Sequence, residues 1–169
     1  RVVTLSSIAV RRNAAINFED LQAEKAYQAM PVYAQSKLAC LIFALELQRR
    51  SDEAGWGLTS IAAHPGISRT DLLHNAPGRH SAQGLLRSFL WFLFQPAAQG
   101  ALHTLFAATS PDARGGRYYG PDRFSETRGH PSEAAIPAAA LELQVARRLW
   151  DVSEALAAVT SFGYLGMLI

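Results

Sequence analysis

A tyrosine and a lysine stand four residues apart in the stretch Tyr33-Ala34-Gln35-Ser36-Lys37. On a helix that spacing puts both on one face, with Cβ atoms roughly 5–6 Å apart. An ammonium beside a phenol favours the phenolate. Free tyrosine has a pKa of about 10, and each tenfold gain in ionisation corresponds to about 1.4 kcal/mol. A tyrosine working as a base near neutrality therefore needs roughly 4 kcal/mol of help, from Lys37 and a second positive charge nearby. The pair alone proves little. Tyr and Lys meet at this spacing by chance in many helices, and a half-buried tyrosine with a solvated lysine is the plain alternative.

The elements that must position the pair are legible around it. Arg1-Val2-Val3-Thr4-Leu5-Ser6-Ser7 is a β-branched run ending in two hydroxyls. Val2 to Leu5 read as a strand buried in a parallel sheet, and Ser6 and Ser7 begin at least a turn. The helix starts near Met30-Pro31, where a first-turn proline is tolerated, and runs to about Asp52. Leu38, Leu41, Ile42, Leu45 and Leu47 give it a broad apolar face. Gly55-Trp56-Gly57 breaks it, and Leu58 to Ala63 form a second short apolar run closed by His64-Pro65-Gly66. Strand, helix, strand and Pro-Gly loop is the order of a parallel nucleotide-binding sheet.

With these pieces in place, the sequence resembles the short-chain dehydrogenase/reductase family, in its retinol-dehydrogenase-like and protochlorophyllide-reductase-like branch. The matching segments are VVTLSS, YAQSKLACLIFALEL, AAHPGISRTDL, RGGRYYGP and the terminal LWDVSEAL, which together cover most of residues 1–159. The resemblance implies an α/β fold, a Rossmann-type doubly wound parallel sheet of which this chain supplies the C-terminal strands and helices. It implies NAD or NADP as cofactor and alcohol–carbonyl interconversion as activity. Matched by position, the catalytic residues are Ser7, Tyr33 and Lys37. Tyr33 and Lys37 also bind the cofactor, with Pro65, Gly66, Ile67, Ser68 and Thr70. Ser7 would hydrogen-bond the substrate oxygen where charge develops. Relatives pack the long helix on its copy in a second subunit, so a homodimer or homotetramer is implied as well. Ile16-Asn17-Phe18-Glu19-Asp20 resembles an insertion of the same branch, expected as a loop with a short helix.

No G-x-x-x-G-x-G turn, which takes a pyrophosphate at a helix N-terminus, stands before Tyr33. The family's Asn-Ala-Gly segment is missing too. The expectation is that the 169 residues are the C-terminal half of a longer protein, with residues 1–160 as half of one domain.

Composition narrows the classes further. With 49% hydrophobic residues the chain is globular in character. A net charge of +2, with basic residues scattered, gives no footprint for nucleic acid. One cysteine, Cys40, excludes an internal disulfide and suits a reducing, cytoplasmic setting. His64 invites a metal, but His74, His80, His103 and His130 show no ligand spacing with it, and none is expected.

Residues 71–95 crowd Leu85, Leu86, Phe89, Leu90, Trp91, Phe92, Leu93 and Phe94 into one segment, which falls short of the roughly 20 residues of a bilayer-spanning helix. Substrate wall, membrane-surface patch and ordinary core or subunit contact all remain open for it. By the resemblance this is the variable substrate lid, favouring a small apolar alcohol or carbonyl of bulky, lipid-like kind. Beyond it, a helix is expected over Ala97 to Thr109 with Ala101, Leu102, Leu105 and Phe106 buried, then a final strand Arg117-Tyr118-Tyr119. Residues 122–137 read as loop, and Ala138 to Val159 as the last helix. The apolar tail 161–169 resembles nothing in the family. A cofactor-binding scaffold or sensor that keeps the fold without turnover is the competing class.

Overall fold

The computed structural model describes residues 1–68 and 94–158. Thr70, nearly all of the expected lid and the 161–169 tail lie outside the described residues.

Strands β1 (Val2–Leu5), β2 (Ser60–Ala63), β3 (Tyr118–Arg123) and β4 (Arg128–Glu133) form one sheet in the order β1-β2-β3-β4. The first three are parallel, with Val2 opposite Ser60 and Ala63 opposite Tyr119. β2 is buried along its whole length, and alternation sends its residues to both faces. Ala62 and Tyr118 join the core under α1 (Ala29–Ala54), where Leu38, Leu41 and Ile42 meet Ala146 and Leu149 of α3 (Leu143–Ala157). Ile61, Ala63 and Tyr119 face the other way, onto Phe106 and Ala107 of α2 (Ala97–Thr109). The doubly wound Rossmann-type architecture therefore stands, with a helical layer on each side of the sheet.

α1 ends as its sequence directs. Gly55 takes the left-handed conformation at φ +65° and its N–H closes on the Ser51 carbonyl, a position where glycine carries no Cβ penalty. The helix is long and apolar enough to cross a membrane by length and composition alone, yet here it is docked on the sheet. Its buried face includes a carboxyl that the apolar pattern does not foretell. Glu46 is held by Arg49 at 2.6 Å and Arg50 at 2.7 Å. Arg50 in turn lies over the Trp150 ring, which stacks on Phe43.

Three expectations need correction. The buried side of α2 is Gly100, His103 and Ala107, whereas Leu105 is exposed. Small residues face inward because the helix lies close on the chain beneath it: a Cβ at Gly100 would overlap the Ser68 hydroxyl. Within 122–137, read as loop, β4 pairs antiparallel with β3. Pro121 lies directly opposite Pro131 in that ladder, and a residue without an N–H is found in sheets at edges and irregularities. The turn between these strands is strained as well. Phe124, Ser125 and Glu126 all have positive φ, of 51°, 54° and 65°, at roughly 1 kcal/mol or more each. The last helix is also shorter than expected, a 3₁₀ turn at Ala138–Ala140 preceding α3.

Candidate active site

The carboxyl ends of β1 and β2, where ligands settle in open α/β sheets, are the places the sequence marks. Two contacts fix the start of α1 against the end of β1, and a third ties β3 to the same corner. Ser6 Oγ donates to the Lys37 carbonyl at 2.8 Å, and Lys37 Nζ to the Leu5 carbonyl at 3.3 Å. Tyr118, from β3, donates its hydroxyl to the Ser7 carbonyl at 3.1 Å. Burial pushes the Tyr118 pKa up, opposed by Ser6, while the neighbouring Glu126 and Tyr33 reinforce it. Ser7, Tyr33 and Lys37 are thus carried to one corner of the sheet.

Each of the three is left able to act. Ser7 caps the 3₁₀ turn Ile8–Arg11, its Oγ accepting the Ala9 N–H at 3.2 Å, which leaves its hydroxyl proton uncommitted among the described residues. The Tyr33 side chain is half-buried, and no hydrogen bond engages its hydroxyl among the described residues. Lys37 has spent one of its N–H groups on Leu5, and an ammonium has three. On the flank, Gln35 ties the 12–28 segment to this turn of the helix. Its Oε1 accepts the Asn17 N–H at 2.8 Å and its Nε2 donates to the Leu21 carbonyl at 3.3 Å. A cleft of about 520 Å³ opens there, lined by Ala9, Arg12, Ala14, Ala26 and Met30 among others, but Ser7, Tyr33 and Lys37 do not line it.

The loop after β2 is clamped from two sides. The Ile67 N–H donates to the Thr127 carbonyl at 2.8 Å, and the Ile67 carbonyl accepts the Gln95 N–H at 3.2 Å. Gln95, almost fully buried, also donates Nε2 to the Pro65 carbonyl at 2.5 Å and accepts the Gly129 N–H at 3.2 Å. Gly66, at φ +64°, leaves no room for a Cβ against the Thr127 carbonyl. Ser68 Oγ turns back to the Pro65 carbonyl at 3.0 Å. The Ile67 backbone is therefore fully engaged within the protein.

His64 lies beneath this loop with no exposed surface. Burial, with His103 and Arg11 nearby, pushes its pKa down to about 3. No cluster of three metal-ligating side chains occurs among the described residues. Glu126, Gln95 and Tyr118 are the polar groups here that the sequence did not single out as functional. Glu126 sits in a segment whose composition carries no local signal for a site, and Gln95 closes the 71–95 segment, where the apolar side chains and not this amide carry the reading.

No family model matches the chain. Relatives do. The chain is 36% identical over 166 residues to retinol dehydrogenase 14 of Mus musculus, across 94% of this chain and 45% of that protein. It is 36% identical over 155 residues to polyprenol dehydrogenase of the same organism, across 89% of this chain and 42% of that one. This chain belongs to the short-chain dehydrogenase/reductase family. It spans about half the length of the curated relatives it matches. The crystal structure of an uncharacterized protein from Mycobacterium paratuberculosis superposes with a TM-score of 0.71 at 35% identity, over 94% of this chain and 50% of that one. Members of the family work with NAD or NADP. The chemistry of the side chains at the β1 corner fits the nicotinamide-ribose end of such a group, Lys37 with N–H donors to spare for sugar hydroxyls. The 169 residues hold no glycine-rich turn for the pyrophosphate.

Proposed function

We propose that the chain carries the proton-transfer half of an NAD(P)-dependent oxidoreductase that interconverts an alcohol and a carbonyl. The supporting observation is the corner at β1. Three chemically competent side chains, Ser7, Tyr33 and Lys37, come from two elements cross-tied by Ser6 to Lys37 and Lys37 to Leu5. Tyr33 exchanges a proton with the substrate oxygen. Ser7 donates its free hydroxyl proton to the same oxygen and holds it in place. Lys37 lends positive charge beside Tyr33 and binds the ribose. Pro65, Gly66, Ile67 and Ser68 would hold the nicotinamide end and Thr70 its amide or the phosphates, with Ser68 rather than Ile67 offering backbone polar groups, since those of Ile67 are taken by Thr127 and Gln95. The nicotinamide, when bound, supplies or accepts hydride.

For substrate we favour a bulky apolar alcohol or its carbonyl. The names of the relatives carry retinol and polyprenol, both long apolar alcohols, and the 71–95 segment is rich in Leu, Phe and Trp. Assembly as a homodimer or homotetramer in the cytoplasm accompanies this reading.

Tyr33→Phe tests it. General acid–base catalysis contributes on the order of 10²- to 10⁴-fold, and turnover of a long-chain alcohol with NAD or NADP should fall by that much. The Tyr33 hydroxyl has no partner to lose among the described residues, so the thermal midpoint should hold. Ordinary turnover in the variant would sink the assignment. A protein that binds dinucleotide but turns over no alcohol or carbonyl would favour the sensor class instead.

A further inference from the structure

Three buried side-chain atoms among the described residues lack a well-formed hydrogen bond: His64 Nε2, His103 Nε2 and Glu126 Oε2. Two of them face each other. Glu126 Oε2 lies 3.3 Å from His64 Nε2, within reach but out of line. The other carboxyl oxygen accepts the Ala135 N–H at 3.1 Å, and Arg11 Nη1 approaches Oε2 at 3.5 Å. On the far side of the ring, His64 Nδ1 accepts the Gly66 N–H at 3.2 Å. That bond requires an unprotonated Nδ1, so a neutral ring must carry its proton on Nε2, toward Glu126. Burial keeps the ring neutral, which makes the contact one of a ring N–H with a carboxylate rather than an ion pair.

The backbone around Glu126 is arranged to deliver it. Glu126 is the third of the consecutive left-handed residues in the β3–β4 turn, and strain of this kind survives only where the surroundings over-determine it. The next residue, Thr127, takes the Ile67 N–H on its carbonyl. Gly120 makes room opposite, since a Cβ there would overlap His64 Nε2. One turn therefore grips the Pro65–Ile67 loop twice, through the Thr127 backbone and through the Glu126–His64 pair.

We propose that Glu126 is a positioning residue: it holds His64 in the Nε2–H tautomer so that Nδ1 fixes the Gly66 amide, and with it the backbone along which the nicotinamide lies. The inference rests on the dinucleotide reading above and adds to it a residue that touches neither cofactor nor substrate. Carboxylates orient metal-bound imidazoles by the same fixing of tautomer and ring plane.

The test uses the protein expressed from its natural gene, with two readouts. Ring-nitrogen NMR reports the His64 tautomer, and fluorescence titration with NADH and NADPH reports affinity. Glu126→Ala should mix the tautomers and weaken the better-bound dinucleotide by on the order of tenfold to a hundredfold, the scale of a small misplacement. Glu126→Gln keeps an acceptor for His64 and should restore both readouts. Arg11→Ala leaves the ring contact intact and should bind like wild type. Should the alanine variant not fold, Glu126→Asp carries the test, keeping the charge while withdrawing the carboxyl from the ring. Unchanged tautomer or unchanged affinity in the variants that remove the contact overturns the proposal. Equal weakening by Arg11→Ala overturns it too, because anchoring of the turn would then be the cause. Wild-type protein that takes neither dinucleotide overturns the oxidoreductase reading and this inference together, whereas the Glu126 outcomes strike this inference alone.

Discussion

At the scale of single residues, Ser7 differs from its two partners because it also holds local structure. Its Oγ accepts the Ala9 N–H at the start of a 3₁₀ turn, and removing such a cap costs about 0.5–2 kcal/mol. Ser7→Ala should therefore lower turnover by on the order of 10²-fold and lower stability together, as read by kinetics and by urea midpoints on the same preparation. Tyr33→Phe moves turnover alone. An alanine variant that kept wild-type stability would mean the cap is not held in solution. Lys37→Met should raise the dinucleotide Kd and reduce turnover, since Lys37 alone of the three bridges strand and helix through the Leu5 carbonyl. The four-residue spacing of Tyr33 and Lys37 and the hydroxyl pair after a β-branched run are local signals, but their reading as a site comes from the resemblance of the surrounding segments, not from either signal alone. Glu126 was not legible, because its meaning comes from Arg11 and His64, each distant in sequence.

At the scale of elements, helix α1 carries a polar device inside its apolar pattern. Burial works against the charge of Glu46, but hydrogen bonds from Arg49 and Arg50 outweigh it and hold the pKa below the ordinary 4.5. A carboxyl depressed in the fold stabilises above its unfolded pKa and loses that contribution as pH falls through the folded value. Glu46→Gln should cost about 1–3 kcal/mol at neutral pH, and the gap from wild type should close as the pH is taken below about 4. Urea midpoints across that range check it, and a pH-independent gap would deny the ionic contribution. The extent of α1 was readable from periodicity and from Gly55. β4 was not, because Pro121, Gly129 and Pro131 in and beside its ladder are residues that ordinarily break strands, and three left-handed residues without glycine make its turn. The buried face of α2 misled for a related reason, small residues going inward where backbones approach closely. Gly120→Ala exposes this element-level logic. It should cost about 1–3 kcal/mol by overpacking against His64 and weaken dinucleotide binding with it, whereas an unaffected thermal midpoint would mean that the contact relaxes freely.

At the scale of the whole molecule, the two edges of the sheet are treated differently. β4 closes one edge with Pro131, charged Arg128 and Glu133, and an irregular register, the means by which proteins discourage edge pairing. β1 lies at the other edge, short and apolar, with Leu5 exposed. The N–H groups of Val2 and Ser6 are turned toward the β2 side, so by alternation those of Val3 and Leu5 point away from the sheet. Among the described residues no strand pairs with that side. A net charge of +2 offers little repulsion to oppose association. The 169-residue chain studied alone should therefore associate through β1, its weight-average mass by sedimentation rising with concentration. Val3→Pro removes an outward N–H and leaves the bonds to β2 in place, so it should suppress that rise without abolishing the helical circular dichroism. Association that persists in Val3→Pro would move the contact elsewhere, to the exposed apolar side chains of the helices. A chain monomeric at all concentrations would mean that β1 is covered in solution by residues outside the described ones.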